Sequence, residues 1–260
     1  GLSKQHVWPD WLKSVIPRNS TVNIQELHSY SPSSKKALID SKKVQRQGHL
    51  GVRKIRNVCK DCNNGWMSKI EQKVKPFLTS LILAKETILI EEEMRDLASW
   101  VIMTSIMAEF TDIATLAIPQ EHRKVLYETA NPSDGWRIWI GRYKGVEWGD
   151  MRYRHHGSCI VDEYEAEQIK QGNLIPKPNV QSSSFVIGEL FIHCISLPPN
   201  SMNQFLIDDE LNKYLTCIWP IEQKKRFFWS SSKKNQINWP PLNTIDDRLA
   251  FKITDRTLNE

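Results

Sequence analysis

Long apolar runs are missing from this 260-residue chain. None reaches the ~18 residues that a membrane-spanning helix needs, and the first residues hold no signal-like hydrophobic stretch. Glycine is scarce, at 11 residues, and no glycine-rich loop is placed to cradle a nucleotide phosphate, which argues against a dinucleotide-binding or P-loop enzyme. No internal repeat is present. The five cysteines are an odd number, with one pair at metal-ligand spacing, so they fit a reducing compartment and not a disulfide framework. With 40% hydrophobic residues the chain can bury an ordinary core, as two domains or one large one. The expectation is a soluble, cytoplasmic α+β protein with no membrane contact, its oligomeric state left open.

The most informative residues are Val58-Cys59-Lys60-Asp61-Cys62-Asn63-Asn64-Gly65-Trp66. Cys-x2-Cys closes a tight turn that aims two thiolates at one Zn²⁺, and the Asn after it favours the start of a helix. Two cysteines do not complete a structural zinc site, which is four-coordinate, so two ligands have to come from elsewhere. The plainer alternative is a pair of reduced thiols with no metal.

Read with Ser3-Lys4-Gln5-His6-Val7-Trp8-Pro9-Asp10-Trp11-Leu12, this run resembles a bacterial and phage group of HNH-endonuclease-like proteins. The likeness covers roughly the first 75 residues. It implies a ββα-metal fold, a structural Zn²⁺ held in part by Cys59 and Cys62, and a catalytic divalent cation (Mg²⁺, Mn²⁺ or Ni²⁺). His6 matches the general base that takes a proton from the water attacking a phosphodiester, a role that suits an imidazole titrating near neutrality. Asn63 matches the position that contacts the catalytic cation. Gln5 stands where the family carries an acid, and the middle Asn that orients the base has no match, since Asn57 lies too close to Cys59 and Lys54 occupies the usual place. The resemblance also implies a second Cys-x2-Cys upstream of the His-bearing strand. Gly1 stands five residues before His6, so the sequence reads as a piece of a longer protein.

The net charge of +5 hides an asymmetry. Residues 1–75 hold 15 Lys and Arg against 5 Asp and Glu, and the remainder 20 against 25. Lys35, Lys36, Lys42, Lys43, Arg46, Arg53, Lys54 and Arg56 crowd between the two motif halves, where they are candidates for contact with a nucleic-acid backbone, DNA in the first instance. The alternative is a set of solvated loops.

Hydrophobic periodicity divides the chain into an HNH-like ββα unit over 1–84, a helical segment over 85–135 and a strand-rich α+β region of unknown role over 136–260. Residues 3–12 read as an extended segment with a short turn, 17–34 as a polar connection with little regular structure, and 50–58 as the second strand. The helix of the motif is expected over 64–84, with Trp66, Ile70, Val74, Phe77 and Leu81 on one face and Pro76 ending or kinking it. A buried helix begins at Glu91-Glu92-Glu93 and a shorter one spans 120–129. Strands are expected at 136–143, 148–153, 185–195, 215–219 and 227–229, forming a mainly antiparallel sheet packed on the helices.

Other residues carry weaker signals. His155-His156-x2-Cys159 has a composition that zinc accepts, although adjacent strand residues point to opposite faces. His193 and Cys194 read as sheet residues, Asp208-Asp209 and Asp246-Asp247 as turn or cap residues, and Trp8, Trp11 and Trp66 as packing residues. Two functions follow: a metal-dependent endonuclease with His6 as base, or a catalytically inactive zinc-stabilised nucleic-acid-binding protein in which Gln5 marks a decayed site. A third makes the C-terminal sheet a protein-binding surface.

Overall fold

Two extended segments far apart in sequence meet at the start of the architecture. In the computed structural model, which describes residues 1–16, 22–29, 40–47, 50–113, 116–175, 177–198, 210–221 and 235–256, β1 (Leu2–His6) is followed by β2 (Val22–Ser29), β3 (Asp40–Gln47) and β4 (Lys54–Cys59). β1 pairs antiparallel with β4, Leu2 opposite Cys59 and His6 opposite Lys54, with a bulge between Ser3 and Gln5. β2 and β3 form their own antiparallel ribbon between these partners. A strand thus occupies part of the segment expected to lack regular structure. Its composition, Val-Asn-Ile-Gln-Glu-Leu-His-Ser, alternates only over its first four residues, and Leu27 falls out of phase with Val22 and Ile24, so the period of two is too short to mark the strand.

The chain leaves β4 at Cys59 through one helical turn, Lys60–Cys62, and an irregular stretch, Asn63–Met67, where Gly65 departs from helical geometry (φ −95°, ψ −110°). α1 then runs over Ser68–Ile82. Pro76 does not end it. The exposed proline removes one backbone donor on the solvent side, while Ile70, Val74, Phe77, Leu78 and Leu81 remain buried on the other and hold the helix in place.

β5 (Thr87–Ile90) leads into α2 (Glu91–Glu109), whose first turn is fixed by Glu93 accepting the Ile90 N–H at 3.0 Å. From Leu97 to Glu109 every residue of α2 is buried, as expected for a helix at the centre of a core. α3 (Gln120–Thr129) follows.

The second half is strand-rich. β6 (Trp136–Tyr143), β7 (Met151–Ser158), the short α4 (Glu163–Lys170), β8 (Val180–Ile187), β9 (Leu190–Ser196), β10 (Thr216–Trp219), β11 (Gln236–Trp239), β12 (Thr244–Ile245) and α5 (Asp247–Arg256) complete the described residues. The main sheet has the order β10-β6-β9-β8-β7, all antiparallel, with β12 parallel to β6, and curls into a mixed half-barrel. β11 instead pairs with β5. The run expected as a single strand over 185–195 is two strands joined at Gly188-Glu189. Gly188 has φ +56°, and a Cβ there would lie 2.7 Å from the Ile82 carbonyl oxygen, so a glycine is required for the turn to dock on the end of α1. The strand expected at 227–229 lies outside the described residues.

The sheet is covered on both faces. Ile138, Ile140, Phe185, Ile192 and Cys194 join one core with α1, α2, Val7 and Trp8, while Trp139, Val186, Phe191 and Ile195 join a second with Ala250 and Ile253 of α5. The first core is continuous from Val7 to Trp239, so the β1–β4–α1 unit is packed onto the sheet. The fold is α+β, with five helices among the described residues. None of them is long and apolar enough to cross a membrane.

Candidate functional site

The ladder between β1 and β4 brings the two halves of the sequence motif together. Because Leu2 lies opposite Cys59, the Cys pair sits at the start of β1, where Lys60 N also donates to Gly1 O at 3.3 Å; His6 lies at the other end of the same strand. The two thiols are on one turn, with Sγ atoms 2.7 Å apart and the Cys62 N–H donating to Cys59 Sγ at 3.0 Å. Hydrogen bonds from the Cys62 side chain and backbone draw the Cys59 pKa down, and the same side-chain bond, aided by burial, raises that of Cys62. Two Zn–S bonds at a tetrahedral angle would hold the sulfurs roughly 3.8 Å apart, so the thiols fit half of a zinc site after a small side-chain rotation. Among the described residues no group of three or more His, Cys, Asp or Glu is placed to hold a metal.

His6 is a quarter exposed, and its Nε2 lies 3.8 Å from Asp10 Oδ1. Asp10 begins the 3-10 turn Asp10–Ser14 that Pro9 introduces, and it also pairs with Lys13. The carboxylate lies within reach of an imidazolium formed on His6. The sequence reading passed over Asp10, yet its spacing, four residues past His6 with a proline between, is the only signal that could have found it.

Asn63 lies at the Cys end of the strand. Its Nδ2 donates to Ser3 Oγ at 3.1 Å, so the structure brings it against β1 two residues before Gln5. Gln5 is buried, at 7% exposure, and bonds through its side chain to Glu71 on the facing side of α1. Burial lifts the Glu71 carboxyl to about 7, and the bond from Gln5 offsets only part of that. The sequence gives no reason to single out Glu71. It lies on the polar edge of the apolar stripe of α1, next to Ile70, and reads from sequence as one more solvated helix charge.

The basic residues divide. Lys54 and Arg56 are exposed on β4, two residues apart. Arg53 is half-buried and its Nη2 donates to the Thr111 carbonyl at 3.2 Å, so this cation is engaged by the protein itself. Lys42, Lys43 and Arg46 lie on β3, opposite Leu27, Glu26 and Asn23 of β2. Lys35 and Lys36 lie outside the described residues.

Trp8 and Trp11 are packing residues, as expected. Trp8 is 1% exposed and meets Phe185 edge-on at 5.5 Å and Tyr153 at 6.3 Å, while Trp11 packs at the core's edge beneath Lys75. Trp66 is half-buried and packs against Tyr127. His155 and His156 are neighbours on β7. The Tyr153 hydroxyl bonds to His155 Nδ1, and Cys159 is exposed beyond the strand. Burial pushes His155 down to about 3. His193 is fixed by Ser184 Oγ at 2.9 Å and is also pushed to about 3 by burial, and burial raises the thiol of its neighbour Cys194 to about 12. Asp246 caps α5 by accepting the Leu249 N–H at 2.8 Å, and Asp247 accepts from Tyr143 and from Val146 N at 2.8 Å. Asp208 and Asp209 lie outside the described residues.

Comparison of the chain with protein-family models, with curated proteins and with solved structures finds no match.

Proposed function

We propose that this chain is a metal-dependent, HNH-type endonuclease that hydrolyses DNA phosphodiester bonds in the reducing cytoplasm, with His6 as general base. The observation that carries the reading is the β1–β4–helix arrangement. Residues 7–53 intervene between the two strands, yet the strand bearing His6 pairs with the strand ending in Cys59, and the Cys turn opens into the irregular stretch that begins at Asn63 and leads to α1. His6 is accessible at the end of this unit, beside Asp10 and next to the exposed Lys54 and Arg56.

In this mechanism His6 accepts a proton from water as the water oxygen forms a new bond to phosphorus. The bond from phosphorus to the leaving oxygen breaks, and that oxygen takes a proton from solvent. Asp10 stabilises the imidazolium that results. A divalent cation, when bound, would offset the charge that grows on the phosphate and leaving oxygen. The resemblance assigns Gln5 and Asn63 to it, although Gln5 lies on the buried face of β1 and Asn63 at its Cys end, three residues along the strand from His6. Cys59 and Cys62 would supply two thiolates to a structural Zn²⁺ that fixes the strand to the helix.

A second reading, a zinc-stabilised protein that binds nucleic acid without cutting it, is favoured by the neutral Gln5 at the position of an acid. Conversion of supercoiled plasmid to nicked or linear DNA with Mg²⁺, Mn²⁺ or Ni²⁺ separates the two. Cation-dependent cleavage that drops by about 10²- to 10⁴-fold in His6→Ala is the expected result. A zinc-loaded protein that retains DNA but leaves the plasmid intact with all three cations would establish the second reading.

A further inference from the structure

The bulge in the β1–β4 ribbon gathers cations on the face that carries His6. Directly opposed strand residues share a face, so His6 and Lys54 lie on one side of the ribbon, while Gln5 and Ile55 lie on the other, toward the core. Ile55 and Val58 both turn inward although they are three residues apart, which a regular strand does not allow. The extra residue between them leaves Arg56 and Asn57 together opposite Lys4, and all three are exposed. We propose that Lys4, Arg56 and Asn57 hold the phosphate next to the scissile one on the same nucleic-acid strand, with His6 and Lys54 at the scissile phosphate itself. The proposal rests on the nuclease reading above and deepens it.

Three observations support it. The positive charge of this face is not neutralised from within: among the described residues Lys4, Lys54 and Arg56 make no ion pair, whereas Lys73, Arg95 and Lys170 on the helices each face a carboxylate. The carboxylate beside His6, Asp10, is engaged by Lys13. The spacing also fits. Lys4 precedes His6 by two strand residues, roughly 7 Å, which is about the separation of neighbouring phosphates along one strand. Finally, the donors are complementary: a guanidinium can bond two phosphate oxygens, an ammonium adds a compact charge, and the Asn amide supplies a further N–H. In a regular ladder either Arg56 or Asn57 would turn to the buried face, so the bulge is what assembles the set.

The test uses a labelled DNA duplex bound by the full chain across a salt series, and cleavage of a duplex that carries one neutral methylphosphonate linkage beside a mapped cut. Lys4→Ala should lower the slope of log affinity against log salt by about 0.9, with the urea midpoint unchanged, and Lys85→Ala, an exposed cation beyond the end of α1, should leave the slope as it is. The methylphosphonate, placed on one side of the cut, should slow cleavage by the unsubstituted chain about 10-fold and have no further effect on Lys4→Ala/Arg56→Ala. Equal cleavage of the modified and unmodified duplexes by the unsubstituted chain, or a slope that falls as much with Lys85→Ala as with Lys4→Ala, would overturn the proposal and leave the nuclease reading intact. A chain that cleaves nothing, but whose salt slope falls with Lys4→Ala and not with Lys85→Ala, would support the phosphate contact and overturn the nuclease reading instead.

Discussion

The chain carries titratable side chains in two regions that treat them in opposite ways. At the β1–β4–α1 junction, His6 is a quarter exposed beside Asp10, and Glu71 is held at about 7 with only an amide for a partner. In the curled sheet, His193, His155, Cys194 and Tyr153 are all shifted toward their neutral forms by burial, and each has a hydroxyl or ring partner within the protein. The sheet uses its polar groups as internal fasteners: Thr254 on α5 donates to Ser184 at 2.9 Å, which meets His193, and His122 meets Ser196 at 3.0 Å. Richness in His, Cys and Ser therefore does not locate chemistry in this protein.

Trp8 is one of the residues through which the two regions meet, and its removal should have the largest effect. Trp8→Ala removes a side chain that is 1% exposed and meets Phe185 and Tyr153, and should destabilise the protein by about 3 to 5 kcal/mol, read as a lowered urea midpoint. Loss of cleavage should accompany it, because β1 carries His6 two residues earlier. A variant that loses cleavage with an unchanged midpoint would mean that the sheet does not support the site.

Acid sharpens the comparison. His155 and His193 are held at about 3 against an ordinary 6.5, so the unfolded chain binds more protons than the folded one between those values. The stability they permit is complete above about 6.5 and is lost as the pH falls toward 3, each contributing up to about 1.4 kcal/mol per pH unit. Glu71 works the other way between its ordinary 4.5 and about 7, where the folded state holds the extra proton. The decline in urea midpoint should therefore be shallow down to about 4.5 and steepest between 4.5 and 3. His193→Gln should remove one proton's worth of that lower slope. An unchanged slope would show that His193 is not held neutral by burial.

Much of the junction was legible in the sequence because its signals are local. Cys-x2-Cys ahead of an apolar stripe specifies a turn and a helix, and β4 and α1 fall close to where the pattern puts them. The strands of the half-barrel were harder. β8 reads Val-Gln-Ser-Ser-Ser-Phe-Val-Ile, and every residue of it is buried, because helices or sheet curvature cover both faces and hydroxyls are satisfied within the interior. A period-two rule has nothing to detect there. The contacts of Glu71 and Asp10 were hidden for a different reason: a charge at the edge of an amphipathic helix or in a short turn looks solvated until the opposing element is placed, and Gln5 and His6 come from a strand that sequence alone cannot dock.

The basic residues provide the smallest and most selective test of the division between the two regions. Lys54 and Arg56 stand exposed on β4, next to the base, whereas Arg53 extends toward the carbonyl of Thr111 at the end of α2. If the first two neutralise DNA phosphates, Lys54→Ala and Arg56→Ala should each reduce the slope of log affinity against log salt by about 0.9, with little change in unfolding midpoint. Arg53→Ala should do the reverse, lowering stability by about 1 to 3 kcal/mol through the lost charged hydrogen bond while the salt slope stays put. Fluorescence anisotropy with a labelled duplex across a salt series, beside urea melts of the same proteins, separates these outcomes. A salt slope that moves with Arg53 and not with Lys54 or Arg56 would shift the nucleic-acid path off the exposed face of β4 and toward Thr111 at the end of α2.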